Sequence, residues 1–263
     1  MNFELPLLRV DKKEYLEDLR RGKLYLRNNL YYQRLEADNE VRSDPNDGSL
    51  PTEGIVESPS IDGKTLRNMR ITQGNAYIKC FYHYKQEDVV KINERYYRLT
   101  IPEEAKQSLM SFGSDHVMVI SSPIIFTSRI EEAALKAGDT SHCENVEYFD
   151  EKGIRNKTIE FINGLNNGVM TSNPIFCKDI KYKDQQEFRV CVRHLRNDLL
   201  STKISYGIEY YDITQEYIDT PYTINIESIE DISCIIDLKD LIEGSLVIDV
   251  VEKRYMLEKV VTE

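Results

Sequence analysis

The chain has 263 residues, 41% of them hydrophobic and 30% charged, with a formal net charge of −11. That balance excludes a disordered chain and leaves ample material for a buried core. No run approaches the roughly 20 apolar residues of a bilayer span, and overall acidity disfavours nucleic acid, whose phosphates are held by Lys and Arg.

The acidity is uneven. Residues 1–196 carry 29 Lys+Arg against 30 Asp+Glu, and residues 197–263 only 5 against 15. The near-neutral first part keeps nucleic acid open as a ligand, and the acidic last part suits a basic protein partner. The opening MNFELPLLRV lacks the basic-then-apolar layout of a secretory leader and predicts a cytoplasmic protein. Five scattered cysteines without a C-x-x-C pair predict buried reduced thiols rather than disulfides or a zinc knuckle.

In chain order, Leu5 to Val10 predicts a strand. Asp11 with Glu14 forms a capping-box pattern before a helix carrying Tyr15, Leu16 and Leu19 on one face, closed by Gly22. Lys23 to Arg27 and Leu30 to Leu35 read as strands around an Asn28-Asn29 turn. Residues 36–74 lack periodicity and predict a long loop or insertion. Ala76 to Tyr84 is a strong strand, and Val89 to Ile92 with Tyr96 to Ile101 a hairpin. Pro102 starts a helix that ends at Gly113.

His116 to Ser121 and Ile124 to Thr127 predict strands, and Arg129 to Ala137 a helix. Val146 to Phe149 with Ile154 to Lys157 reads as a hairpin, and Thr158 to Leu165 as a short helix. Strands follow at Ile175 to Tyr182 and Glu187 to Arg193, then at 203–211, 222–226, 232–236, 246–251 and 254–260. The pattern predicts one β-rich α+β domain over 1–263, with two packed, mostly antiparallel sheets and a few flanking helices.

Phosphate-cradling and zinc-protease motifs are absent. Asp44 to Gly48 is not a calcium loop, because Gly48 stands one place too early. The segment Tyr182-Lys183-Asp184-Gln185-Gln186-Glu187-Phe188-Arg189 carries the most chemistry. A polar loop runs into a strand, and Gln185 and Glu187 are expected on one face at its mouth.

This Q-x-E arrangement resembles the motif of ADP-ribosyltransferases of the Arg-Ser-Glu class. The order continues the likeness, with Arg9 ending an early strand and Phe126-Thr127-Ser128 ending a later one, for which Thr171-Ser172-Asn173 is a rival. The resemblance implies an ADP-ribosyltransferase-like fold and NAD as substrate. It implies Arg9 on the dinucleotide phosphates, Thr127 or Ser128 at the ribose, Glu187 as catalytic carboxylate and Gln185 orienting a macromolecular acceptor, protein or nucleic acid. Tyr25 and Tyr182, beside the motifs, are candidates to stack on a ring of the dinucleotide.

The chain also resembles a group of uncharacterised bacterial proteins found in defence or toxin settings. The likeness rests on Gly22-Lys23-Leu24-Tyr25, Arg42-Ser43-Asp44-Pro45, Ile78-Lys79-Cys80-Phe81 and Tyr182 through Arg189. It adds Arg42 and Asp44 as substrate-binding candidates. Two rival functions stand beside the transferase: a non-enzymatic defence module docking through its acidic last third, and a magnesium-dependent nucleic-acid enzyme using Asp44, Asp47 and a further acid.

Overall fold

The computed structural model describes residues 3–34, 48–51, 60–61, 64–65, 70–72, 75–166, 173–194, 201–205, 208–212, 215–252 and 254–258. The chain begins β1 (Leu7–Asp11), α1 (Lys13–Arg20), β2 (Lys23–Asn28) and α2 (Asn29–Arg34). Short strands β3 (Ser49–Pro51), β4 (Ser60–Ile61), β5 (Lys64–Thr65) and β6 (Arg70–Thr72) precede the long β7 (Ala76–His83). Then come β8 (Val89–Lys91), β9 (Tyr96–Leu99), α3 (Glu103–Met110), β10 (His116–Ile120), α4 (Pro123–Ala137) and β11 (Thr140–Asn145). β12 (Glu147–Phe149), α5 (Glu151–Asn166), β13 (Cys177–Asp179) and β14 (Glu187–Arg193) follow. The last part holds β15 (Ser201–Ser205), β16 (Ile208–Asp212), α6 (Gln215–Asp219), β17 (Tyr222–Asn225), β18 (Ser233–Asp237), α7 (Leu238–Glu243), β19 (Ser245–Asp249) and β20 (Arg254–Glu258).

Among the described residues, eight of these strands form one antiparallel sheet. Its order is β11-β14-β7-β1-β10-β18, with β2 also on β7 and β17 on β2. A second antiparallel sheet runs β20-β19-β9-β8. The protein is therefore β-rich α+β.

β7 sits at the centre because Ala-Tyr-Ile-Lys-Cys-Phe-Tyr-His is apolar on both faces, as a strand covered on both sides must be. One face joins Tyr77 and Phe81 to Phe188, Val190 and Val192 of β14, beneath Leu16 and Leu19 of α1 and Phe126, Ile130 and Ala134 of α4. The other packs Leu8, Val10, Tyr82, Val117 and Val119 on Leu99, Leu246 and Ile248 of the second sheet. Each such aliphatic side chain contributes roughly 1.5–3 kcal/mol on full burial.

The site depends on a fork. β1 pairs with β7 through Leu7↔His83 and Leu8↔Tyr82, whereas β2 pairs with β7 through Arg27↔Ile78 and Asn28↔Tyr77. Both strands use one edge of β7, so Lys79, Cys80 and Phe81 face the gap where they diverge.

Gly22 fixes the approach to β2. Its φ is +94°, and a Cβ there would lie 2.3 Å from the Ile226 carbonyl oxygen, which is chain that Gly22 itself holds by accepting the Ile226 N–H at 2.8 Å. Gly22→Ala is expected to cost more than ~2 kcal/mol, combining left-handed strain with a backbone clash. Gly113→Ala, at φ +63° in open space, should cost about 1 kcal/mol. Equal losses in urea unfolding would contradict this account.

Several elements differ from the sequence expectation. In the expected strand Leu30 to Leu35, residues 30–34 are not extended: Asn28 Oδ1 accepts the Leu30 N–H at 2.9 Å and opens helix α2 (Asn29–Arg34) instead, and Leu35 lies outside the described residues. Ile124 to Thr127 is the first turn of α4, because Ser122 accepts the Ile125 N–H and Pro123 occupies the position where a missing N–H costs nothing. Ile154 to Lys157 lies within α5. Ile175 to Tyr182 divides into a 3-10 turn, β13 and a second 3-10 turn. Cys177 and Cys191 are buried free thiols, whereas Cys234 is exposed. No helix among the described residues is long and apolar enough to cross a membrane.

Candidate functional site

The Q-x-E segment does not lie flat along a strand. Ile180–Gln185 is a 3-10 helix, and Gln186 turns the chain into β14 with φ +42°, the one non-glycine residue at positive φ among the described residues. Non-glycine residues rarely adopt this conformation, and it costs about 1–3 kcal/mol. The turn makes Gln185 and Glu187 converge on a third group, the Lys178 ammonium of β13. Lys178 Nζ donates to Gln185 Oε1 at 2.7 Å and to Glu187 Oε1 at 2.8 Å.

Arg189, two residues along β14 and fully buried, donates to Glu187 Oε2 at 2.5 Å and to the Ile175 carbonyl. The Glu187 N–H donates to the Tyr148 hydroxyl at 2.9 Å, which the β12–β13 register sets beside Lys178. Burial opposes charge on Glu187, but Lys178 and Arg189 outweigh it and hold the carboxyl well below the usual range. The carboxylate is fixed and ionised. An ionised carboxylate offers about four lone-pair sites, so two remain for a ligand beyond the two used here.

Arg9 reaches the same place from β1. Its Nη1 donates to the Cys80 carbonyl at 2.8 Å, filling the position that β1 leaves at the fork, and its Nη2 donates to Asp11 at 2.8 Å. Burial opposes the Arg9 charge, but Asp11 more than compensates and raises its pKa. Its Nε is buried without a hydrogen-bond partner. A guanidinium with unused donors suits phosphate oxygens.

Two cavities meet at the fork. The smaller, of about 120 Å³, is lined by Arg9, Lys178, Gln185, Glu187 and Tyr32, with Ser108 from α3 and Ser111 just past its end. The larger, of about 410 Å³, lies on the α1 side of the sheet and is lined by Arg9, Tyr32, Lys79, Tyr25, Arg27 and their neighbours. Arg9 and Tyr32 belong to both. Burial raises the Tyr32 pKa, keeping its phenol protonated as a donor.

Of the residues expected from sequence, the structure thus brings Arg9, Gln185 and Glu187 to one cavity and Tyr25 to its neighbour. Tyr182 lines neither cavity; its ring lies 5.0 Å from Lys178 Nζ and 4.8 Å from Lys181 Nζ. Thr127 and Ser128 are apart from the site, on α4, where the Thr127 hydroxyl donates to the Ile124 carbonyl of its own helix. Arg42, Asp44 and Asp47 lie outside the described residues. Among those described, no group of three or more His, Cys, Asp or Glu could hold a metal ion.

The sequence reading missed Lys178 and Lys79, yet a signal existed. For Lys79 it is a lone charge inside the apolar run Tyr-Ile-Lys-Cys-Phe, and such a residue on a buried strand needs a partner; Lys178, followed directly by Asp179, closes the apolar run Ile-Phe-Cys and reads locally as one half of a surface pair. Burial, then the nearby Arg9 charge, lowers the Lys79 pKa to about 7, with Asp11 only partly offsetting them. The unfolded lysine keeps its proton up to about 10.5. Wild-type stability should therefore rise with pH between these values, and the full penalty applies below about 7. Lys79→Met should stabilise the fold by about 3 kcal/mol more at pH 6 than at pH 9; an equal change at both, in urea unfolding, would contradict the assignment.

Compared with protein families, with curated proteins and with solved structures, the chain matches none.

Proposed function

We propose that the protein is an NAD-consuming ADP-ribosyltransferase-like enzyme that moves ADP-ribose from NAD to a macromolecular acceptor. The observation that carries this reading is convergence: Arg9 and the Gln185-x-Glu187 pair, separated by most of the chain, line one cavity at the fork. In this reading Arg9 grips the pyrophosphate with the donors it does not spend on Cys80 and Asp11. Glu187 accepts hydrogen bonds from the nicotinamide ribose with its remaining lone pairs.

As the bond between ribose and nicotinamide breaks, its electron pair leaves with nicotinamide and positive charge grows on the sugar. A fixed carboxylate stabilises that charge without having to reorganise. Lys178 and Arg189 offset part of the Glu187 charge, so its contribution comes mainly through directed hydrogen bonds. Gln185, on the same Lys178 ammonium, flanks the acceptor side. Thr127 and Ser128 have no part in this mechanism; Ser108, Ser111, Tyr32 and Tyr82 are the hydroxyl-bearing residues lining the cavity. A cytoplasmic bacterial toxin or antiviral-defence role goes with this reading.

The test is transfer of label from NAD, labelled in its adenylate phosphate, onto macromolecules of a cell lysate. Arg9→Met is expected to raise the KM for NAD about tenfold or more, since a hydrogen bond to a charged group is worth roughly 1.5–3 kcal/mol. Absence of transfer, or an unchanged KM, would refute the reading.

A further inference from the structure

The larger cavity is built around a lysine that the mechanism above does not use. The Lys79 side chain is only 9% exposed, and its nearest counter-charge is Asp11 Oδ2 at 3.9 Å. That oxygen is already taken by Arg9 at 2.8 Å. Lys79 makes no hydrogen bond among the described residues, although an ammonium carries three donors. A buried ammonium without hydrogen bonds is costly, and an anion entering the cavity would relieve that cost.

The surroundings favour the same occupant. Among the described residues, Arg9, Lys79, Lys23 and Arg27 line the cavity against two carboxylates, Asp11 and Asp18, a local surplus of positive charge in a chain of net charge −11. Lys23 is paired with Asp18 at 3.0 Å and Arg9 with Asp11 at 2.8 Å, so the surplus falls on Arg27 and, when it is protonated, on Lys79. Tyr15 and Tyr25 are 53% and 37% exposed and line the same cavity, offering ring faces to an aromatic ligand. Its volume of about 410 Å³ falls within the range of small-molecule sites, roughly 300–1,000 Å³.

We propose that this cavity binds a nucleoside phosphate, with Lys79 and Arg9 on the phosphate oxygens and the base against Tyr15 and Tyr25, and that Lys79 takes up a proton on binding. The proposal shares Arg9 with the reading above but does not depend on cleavage of NAD. The groups facing Lys79 are Arg9 and Asp11 from β1, Asp18 from α1, Lys23 and Arg27 from β2, Tyr32 from α2 and Cys80 beside it. With its pKa near 7, Lys79 is mostly the neutral amine at pH 8. A bound phosphate favours the ammonium, so the proton comes from the buffer.

The experiment is calorimetric titration of the full chain with ADP at pH 8, in two phosphate-free buffers of different ionisation enthalpy. Wild-type protein is expected to bind ADP with enthalpies that differ between buffers, giving an uptake approaching one proton. Lys79→Met should weaken binding at least about tenfold and abolish the uptake, and Lys79→Arg should bind without uptake. Binding by the wild type without proton uptake, or no binding, overturns the proposal. Inorganic phosphate binding as tightly as ADP overturns the base site. Proton-linked ADP binding by a protein that transfers no ADP-ribose would refute the transferase reading and leave this one standing; transfer without such binding would do the reverse.

Discussion

Arg189→Met is expected to destabilise the protein by about 3–5 kcal/mol, the usual cost of removing one partner from a buried ion pair. Arg189 is fully buried and binds both Glu187 and the Ile175 carbonyl. Without it that carbonyl loses its donor, and Glu187 keeps only Lys178. The effect should come from stranded polar groups rather than lost packing, since methionine fills much of the same space. The triple variant Lys178→Met, Glu187→Leu, Arg189→Met removes all three charges and should recover most of the loss, because a well-packed apolar cluster is often as stable as a buried ion cluster. Urea unfolding midpoints measure both. A loss below about 1 kcal/mol for Arg189→Met would show that the pair is not stabilising the junction of β14 and the 3-10 turn.

Glu187→Gln is expected to lower turnover of NAD by about 100-fold or more, as loss of a preorganised electrostatic group does, with a much smaller effect on KM. The neutral amide presents a donor to Lys178 or Arg189, so stability falls too, and activity must be read where circular dichroism shows native protein. Glu187→Asp keeps the charge but withdraws it by one methylene. It should retain stability better than glutamine does and still lose most turnover, because a displacement of about 1 Å can cost about 100-fold. The pH dependence carries a matching sign. The folded carboxyl titrates below its ordinary value of 4.5, so its contribution to stability is complete above that value and is lost as pH falls below it. Glu187→Gln should flatten the acid limb of the stability profile.

The strands were largely legible because their signal is local. The aromatic and β-branched run from Ala76 to His83 can hardly be other than a central strand, and Phe188-Arg189-Val190-Cys191-Val192 behaves alike. Ile124 to Thr127 shows the limit of that signal. Its β-branched residues suggest a strand, but the Ser122 cap and Pro123 start α4, and a local cap outweighs a modest propensity.

Asn28 is a similar case, where a side-chain bond to the Leu30 N–H replaces the expected hairpin turn. The site was legible only in part. Gln185, Glu187 and Arg9 stand out as residue types in order, but their meeting depends on the strand order β14-β7-β1, which no local pattern encodes. The left-handed turn at Gln186 was equally hidden, because that conformation is normally signalled by glycine or asparagine.

The most direct test of the central claim is nicotinamide release from NAD by wild-type protein, Arg9→Met and Glu187→Gln side by side, each confirmed folded. The account predicts release by the wild type, a raised KM with Arg9→Met and a collapse of kcat with Glu187→Gln. No release by the folded wild type, or release undiminished in Glu187→Gln, would contradict it.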